Sequence, residues 1–465
     1  MNLALLIPDG VGVRNFVIGS FLRHASQAAK CHVLHSIPDK LLPVYQNGCD
    51  SELNWERLIP YQETALSMTL RYALAYAHMQ WANTVSMRNN LLQPIKGSWR
   101  RQTIQRTARL TGRVAASQSG IRFLDRWQTS VVQQLPEVAH YRRMFQQTKP
   151  AVVFCSHQRP PEVLPAVLAA RSLNIPTATF IFSWDNLTSK GRIAAPFDHF
   201  LVWSELMRAE LLRFYPDVTP DRVHVVGTPQ FDPYAAAELQ WSREEFFARV
   251  GADISRPLIC YSGGDTGTAP EDHLHLRALM ELIRSGKVNG APQVLLRPAP
   301  VDDGKRYDEV RRDFPELIYA APAWIHPESG NWAGIIPSPD DVQFLANLTK
   351  HADLNINLAS TMTLDFAIHD RPVINIAFDA TEPPIFGKPL WDFYYRFDHY
   401  RPIVELGAAR FARSREELAE HINAYLDNPA LERDERRRLV ELEVALPIGS
   451  AGQKILQTLK QLGKQ

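Results

Sequence analysis

The stretch that most constrains the fold runs from His351 to Ala380, HADLNINLASTMTLDFAIHDRPVINIAFDA. Leu354, Ile356 and Leu358 alternate with polar residues over 353–358, which predicts a strand with one buried face. Ala359, Ser360, Thr361 and Thr363 then lead into the apolar set Leu364, Phe366, Ala367 and Ile368, so a hydroxyl-capped helix is expected to start near Ser360. Pro372 follows His369, Asp370 and Arg371, and a second strand is expected over 373–378. Strand, hydroxyl-rich turn, helix and strand make a βαβ unit. Free backbone N–H groups and the positive end of a helix dipole meet at such a turn, which suits a phosphate. Taken alone, the same residues equally make an ordinary N-cap in an α/β domain.

The rest of the chain repeats this architecture. Leu3–Ile7 is an expected buried strand, followed by a turn containing Gly10 and Gly12 and a helical pattern over 16–29. That is the order of a first Rossmann βα unit, although the glycines are not spaced GxGxxG and could simply let the chain turn. Further strands are expected at 151–155, 177–182, 199–203 and 223–226. Polar clusters follow several of them, so Ser156, His157, Ser183, Asp185, Asn186, Ser204, Glu205 and Thr228 are expected to converge along one sheet edge. A second set begins at Pro257, with strands at 258–261 and 293–296, the Gly-rich turn SGGDTGTAP, and a region at 321–339 that reads as loop. At 465 residues the chain exceeds one core of ordinary size. Two doubly wound domains are expected, over 1–235 and 236–446, with a last helix over 447–465 packing back on the first.

Within the first domain lies a largely helical insert, about 54–145, with an uneven charge. From Thr64 to Phe123 there is no Asp or Glu, while Arg71, Arg88, Lys96, Arg100, Arg101, Arg106, Arg109, Arg113 and Arg122 are all basic. Solvated faces normally mix signs. The segment therefore either meets an anionic partner, a phosphorylated acceptor or a membrane surface, or pairs with acids elsewhere in the fold. The overall net charge of +1 argues against a general nucleic-acid binder. Cys31, Cys49, Cys155 and Cys260 lack CxxC spacing, which speaks against structural zinc and a disulfide framework. The first residues lack a basic, signal-like start, and no stretch approaches about 18 uninterrupted apolar residues. A cytoplasmic protein, free or peripheral at the inner face of the cytoplasmic membrane, is the expectation.

SWDNLTSKGR, LVWSELMRAEL, GTPQFDPY and LASTMTLDFAIHDRPVINIAFD together resemble bacterial glycosyltransferases of the GT-B type, in particular capsule and surface-polysaccharide enzymes, with CDP-glycerol glycerophosphotransferases as kin. The resemblance covers about 155–265 and 340–380. It implies two facing Rossmann-like domains, a nucleotide-sugar donor on the second and a glycan or lipid-linked acceptor on the first. It also implies that the turn at Ser360, Thr361 and Thr363 holds the donor phosphates. A clamp for the leaving diphosphate would be completed by the amides of Ser262, Gly263 and Gly264 and by Arg297, whose alternative is a structural ion pair. Asp365 is either a sugar or ribose contact or a first-turn acid.

On the acceptor side Asp185 is the first candidate for a general base and His157 the second, the alternative for Asp185 being an Asx-turn. Gly10, Gly12, Asn186, Lys190 and Glu205 are the remaining acceptor candidates, and Arg192 a further cation for an anionic acceptor. No DxD-like metal motif stands out, and neither a metal nor a cofactor is expected. Three other readings stay open. A nucleotide-sugar 2-epimerase would leave the basic insert without a role; a glycerophosphotransferase would need its histidines among His157, His326 and His351; a scaffold would bind no donor.

Overall fold

The structure is a computed structural model in which residues 1–46, 53–326, 334–445 and 447–464 are described. Cys49 and the middle of the expected loop over 321–339 lie outside them. The chain forms two compact units, one made of Met1–Asp232 with Glu443–Gln465, the other of Pro233–Leu442.

Unit 1 is built on seven parallel strands, β1 (Asn2–Ile7), β2 (Lys30–His35), β3 (Asn54–Arg57), β4 (Val152–Cys155), β5 (Thr177–Phe180), β6 (His199–Val202) and β7 (Val223–Val225). Their order is β3-β2-β1-β4-β5-β6-β7. Crossing from β1 to β4 reverses the direction of winding, so the switch point where such sheets carry their ligands lies beyond the ends of those two strands. The central strands are buried on both faces, and Phe16 packs edge-on against Phe21, Phe154 and Phe180 at 5.3–5.4 Å between ring centroids. β2 and β3 were not legible because KCHVLH and NWER carry polar residues within them. β3 sits at the sheet edge, so the helical insert begins after it, not at its first residue.

That insert comprises helices Ala65–Ala82, Val85–Leu92, Trp99–Val114, Gln118–Val132 and Pro136–Thr148. The first four are capped by Thr64, Thr84, Ser98 and Ser117, whose hydroxyls accept from amides in the first turn. Leu70, Ala73, Leu74, Ala77, Ala108, Ile121 and Leu124 form a core of their own between them. The helix Ala451–Leu462 belongs to the same unit. Asp232 accepts hydrogen bonds from the amides of Ala451 (3.1 Å) and Gly452 (2.8 Å) and from the Ser20 hydroxyl (2.6 Å), tying three distant parts of the chain together.

Unit 2 has a six-stranded parallel sheet of β8 (Leu258–Ser262), β9 (Gln293–Arg297), β10 (Ile318–Tyr319), β13 (Leu354–Asn357), β14 (Val373–Ile376) and β15 (Arg410–Ala412), with a separate antiparallel pair, β11 (Trp324–Ile325) and β12 (Ile336–Pro337). Its order, β10-β9-β8-β13-β14-β15, repeats that of unit 1. The switch point here lies beyond β8 and β13. Two expectations are corrected. The loop over 321–339 contains β11 and β12, and β13 is buried on both faces, with Asn355 and Asn357 as inaccessible as Leu354 and Ile356.

Candidate functional sites at the two switch points

In unit 1, β1 runs through Pro8 into Asp9, which caps the single turn Gly10–Gly12. Its Oδ1 accepts from the Gly12 amide at 2.9 Å. Its Oδ2 takes the other contact, with Nδ1 of His157 on the loop after β4. Both side chains are buried, at 2% and 5% exposure. A carboxylate can only accept, so Nδ1 carries the proton and Nε2 is left with a free lone pair. Nε2 has no hydrogen-bond partner among the described residues, and neither has the buried Ser156 Oγ. Phe182 lies edge-on to the imidazole at 4.1 Å between centroids and fixes its plane. Gly12 explains itself here, because a Cβ at that position would come within 2.4 Å of Ser156 Oγ. Its amide is spent on Asp9, so Gly10 and Gly12 shape the turn and leave no free donor at Gly12 for an acceptor.

Asp185 is placed differently. Its Oδ1 accepts from Ser183 Oγ (2.6 Å) and Asn186 Nδ2 (3.0 Å), its Oδ2 from Ser189 Oγ (2.7 Å), and Lys190 Nζ stands 3.7 Å away. The carboxylate thus organises its own loop through neighbouring side chains, without the backbone N–H contact of an Asx-turn, and is not poised to take a proton. Asn186 accepts from Gln158 Nε2 at 2.8 Å, and Gln158 Oε1 in turn accepts from the Phe182 amide, so the loops after β4 and β5 are braced together. The insert holds this loop from outside through Thr84 Oγ1 donating to Thr188 O (2.6 Å) and Asn90 Nδ2 to Ser189 O (2.7 Å). Two acceptor candidates fall away. Glu205 points outward in the first turn of Glu205–Phe214 and pairs with Arg208 at 3.3 Å, because first-turn acids are favoured there by the helix dipole. Arg192 is consumed by Asp125 at 2.8 Å and lies over the Tyr215 ring.

In unit 2 the strand ends are joined by one buried chain of hydrogen bonds. Asn355 Nδ2 donates to Ser262 Oγ (2.8 Å), and Asn357 Nδ2 donates to Asn355 Oδ1 (2.7 Å) and Thr363 Oγ1 (3.2 Å). Tyr400 OH donates to Asn375 Oδ1 at 2.6 Å, so the Thr363 hydroxyl donates to Tyr400 across 2.9 Å. Asn357 Oδ1 also accepts from the Ser360 amide at 2.9 Å, which holds the turn above the network. Within that turn Ala359 sits at φ 46°, a left-handed conformation that costs a non-glycine residue about 1–2 kcal/mol. Burial pushes the Tyr400 hydroxyl well up from its usual range, so it stays protonated and the chain keeps its direction.

The expected diphosphate clamp is accordingly reduced. The Gly263 amide donates to Arg297 O (2.9 Å) and that of Gly264 to Asp272 Oδ2 (3.0 Å), and Ser262 is bonded within the sheet and network, so these three supply no free cradle. Gly263 is needed because a Cβ would reach 2.5 Å from the Tyr307 hydroxyl. Arg297 does end β9, but its Nη2 makes both oxygens of Asp341 its partners at 2.8 and 2.9 Å. Asp341 also accepts from the Ala323 amide and Trp324 Nε1, making the structural ion pair the better account. Thr363 is fully buried within the network, and Asp365 is buried and accepts from the Tyr234 hydroxyl. Of the donor candidates with a side chain, Ser360 and Thr361 stand half-exposed at the turn, while Ser262, Arg297, Thr363 and Asp365 are buried. The helix starts at Met362, one turn position later than expected, and Thr361 caps it with its backbone and not its hydroxyl.

Sequence reasoning missed Asp9, Asn355, Asn357, Asn375 and Tyr400. A carboxylate directly after the first buried strand of a doubly wound sheet was a usable signal for Asp9. The asparagines were readable only by recognising a strand buried on both faces. Tyr400 is brought in from far along the chain and carries no local signal.

No protein-family model matches the sequence, and no curated protein matches it. Solved structures do match. The Neisseria meningitidis UDP-GlcNAc 2-epimerase bound to UDP-GlcNAc superposes over 99% of this chain and 100% of its own, with a TM-score of 0.50 and 11% identity. A glycosyltransferase from Rickettsia africae covers 99% and 98%, with a TM-score of 0.52 and 10% identity. The wall teichoic acid polymerase TagF, soaked with CDPG, covers 100% of this chain and 88% of its own, with a TM-score of 0.50 and 10% identity. The chain has the two-domain α/β fold of GT-B-type enzymes. That much of the resemblance read from the four motifs is confirmed.

Proposed function

We propose that the protein is a glycosyltransferase, moving a sugar from a nucleotide-sugar to a hydroxyl of a glycan or lipid-linked acceptor. The observation that carries this reading is the Asp9–His157 pair at the switch point of unit 1. An imidazole held in one tautomer by a buried carboxylate, with Nε2 unpartnered, is a general base awaiting a proton. His157 Nε2 takes the acceptor hydroxyl's proton while that oxygen bonds to the anomeric carbon. The bond from that carbon to the donor phosphate breaks, and the nucleoside diphosphate leaves with the electron pair. Asp9 balances the imidazolium as it forms. His157 thereby replaces Asp185 as the base. A single displacement of this kind inverts the anomeric centre.

The donor half of the reading rests on Ser360 and Thr361 at the switch point of unit 2, above the buried network. The fold is equally that of the 2-epimerases, but isomerising a free nucleotide-sugar gives the basic helical insert nothing to do. A glycerophosphotransferase is disfavoured, because His351 is bonded to Trp241 O at 2.9 Å and stacked on Phe246.

Calorimetry with UDP, GDP and CDP in EDTA should detect binding of at least one. Ser360→Ala combined with Thr361→Val should weaken it by about 1–3 kcal/mol. Release of nucleoside diphosphate from a nucleotide-sugar should then require an acceptor. Silence with all three nucleotides, broken only by Mg²⁺ or Mn²⁺, would overturn metal-independent binding. Epimerisation of the nucleotide-sugar without acceptor would overturn the transferase reading.

A further inference from the structure

The helices Trp99–Val114 and Gln118–Val132 form a hairpin whose inner face is satisfied and whose outer face is not. Inward, Ala108, Ile121 and Leu124 are buried in the core of the insert. Outward, Trp99 is 80% exposed, Leu110 63%, Val114 91% and Phe123 63%. Trp127 is exposed beside Phe123, their ring centroids 6.0 Å apart. Between the two helices Leu110, Val114, Phe123 and Trp127 line an open groove of about 700 Å³ that is overwhelmingly apolar. Single exposed apolar residues are ordinary, whereas a cluster with two aromatic rings at one end of a hairpin is an interaction surface.

The charges interleaved with this patch indicate what covers it. Arg106, Arg113, Arg122 and Arg126 are exposed on the same two helices as Leu110, Val114, Phe123 and Trp127. No carboxylate occurs on either helix before Asp125, and Asp125 is turned to Arg192 at 2.8 Å. The alternative left open by the sequence, neutralisation by acids elsewhere, holds for only part of the set. Among the described residues Arg71 pairs with Glu63 at 2.7 Å and Arg122 with Asp217 at 2.9 Å, and the other seven basic residues of the acid-free segment have no carboxylate within 4.0 Å. Arg109 is held by Gln93 O and lies over Tyr76, so it belongs to the packing of the insert.

We infer that this hairpin is a membrane-surface anchor, seating Leu110, Val114, Phe123 and Trp127 in the interfacial layer of an anionic bilayer while the arginines take lipid phosphates. A second copy of this chain is a poorer occupant, because a two-fold contact would set the same arginines against each other. Guanidinium groups bind phosphate oxygens in pairs, and aromatic side chains favour the boundary between headgroup and acyl chain. Among the described residues no helix is long and apolar enough to cross a membrane, so the attachment is interfacial and reversible. The anchor stands independently of the proposed transferase activity and is tested without it.

Co-sedimentation of the full chain with vesicles of phosphatidylcholine alone, or with a third of it replaced by phosphatidylglycerol, reads the partition coefficient directly. Binding should favour the anionic vesicles and weaken with added salt. Replacing Leu110→Ser, Val114→Ser, Phe123→Ser and Trp127→Ser together should lower partitioning by about tenfold or more. Arg106→Glu with Arg113→Glu and Arg126→Glu should lower it by about a hundredfold on anionic vesicles. All seven positions face solvent, so melting temperature and nucleotide binding should stay at the wild-type values for both variants. A wild-type protein that remains in the supernatant with the anionic vesicles overturns the inference, as does equal binding to both compositions. Light scattering that finds a dimer, turned into monomer by the serine variant, with no vesicle binding, would assign the face to a second copy.

Discussion

Among the described residues, His157 Nε2 and Ser156 Oγ, both buried at the switch point of unit 1, have no hydrogen-bond partner, whereas at the switch point of unit 2 Ser262, Asn355, Asn357, Thr363, Tyr400 and Asn375 are bonded one to the next. The two sheets share a strand order, so topology does not account for the difference. Unsatisfied buried polar atoms cost about 1–3 kcal/mol each and persist where something compensates for them. A substrate hydroxyl is such a compensation for the first. The second needs none except at Asn375 Nδ2, and its work is to hold a strained turn in place. The same fold thus offers one edge suited to chemistry and one suited to rigid presentation.

The comparison breaks most visibly at His157. Replacing it with Gln, or Asp9 with Asn, should reduce kcat by about 10²–10⁴-fold in an acceptor-dependent assay of nucleoside diphosphate release, with the far-ultraviolet circular dichroism unchanged. Full turnover in either variant would make the pair a structural one.

A second open valence of unit 1 is His78, buried in the insert with neither ring nitrogen bonded among the described residues, so that burial, helped by nearby Arg192, lowers its pKa to about 3. The unfolded chain binds a proton near 6.5 that the folded protein refuses. The contribution is therefore fully present above pH 6.5 and is lost as the pH falls toward 3, at about 1.4 kcal/mol per unit. Urea denaturation at pH 7, 6 and 5 should show this loss, and His78→Phe should flatten it. An unaltered slope would mean that the ring finds water or a partner in solution.

The smallest effect is expected in unit 2. Tyr400→Phe removes the hydroxyl between Thr363 and Asn375 and should destabilise that unit by about 1–2 kcal/mol while leaving catalysis on a saturating donor unchanged. If activity falls as far as in the His157 variant, the network takes part in chemistry and the contrast between the two edges is lost.

Long buried runs such as LALLI, AVVFC and PLICY announced their strands, because parallel strands covered on both faces cannot afford charge. KCHVLH and NWER did not, since Lys30, His32 and His35 in the first and Asn54, Glu56 and Arg57 in the second erase the periodic signal. At the sites, residue type and place after a strand singled out His157, Asp185 and the turn at Ser360, each of which follows a strand of its sheet. What they could not rank was hydrogen-bond saturation. Asp185 and His157 look alike in sequence, yet one carboxylate is ringed by Ser183, Asn186 and Ser189 while the other ring nitrogen is left open. Arg297 likewise looks free until Asp341, 44 residues later, is brought beside it.

The clasp at Asp232 bears on the order in which the protein is made. All of unit 2 is encoded between two parts of unit 1, and the amides that Asp232 holds belong to Ala451 and Gly452. While a ribosome is still translating beyond residue 442, unit 2 already has every residue that it needs. Unit 1, synthesised first, must wait for helix Ala451–Leu462 to emerge before that side of its sheet is covered. The half of the molecule that begins earliest is the last to be finished, and a nascent-chain helper that shields apolar surface has its longest task there.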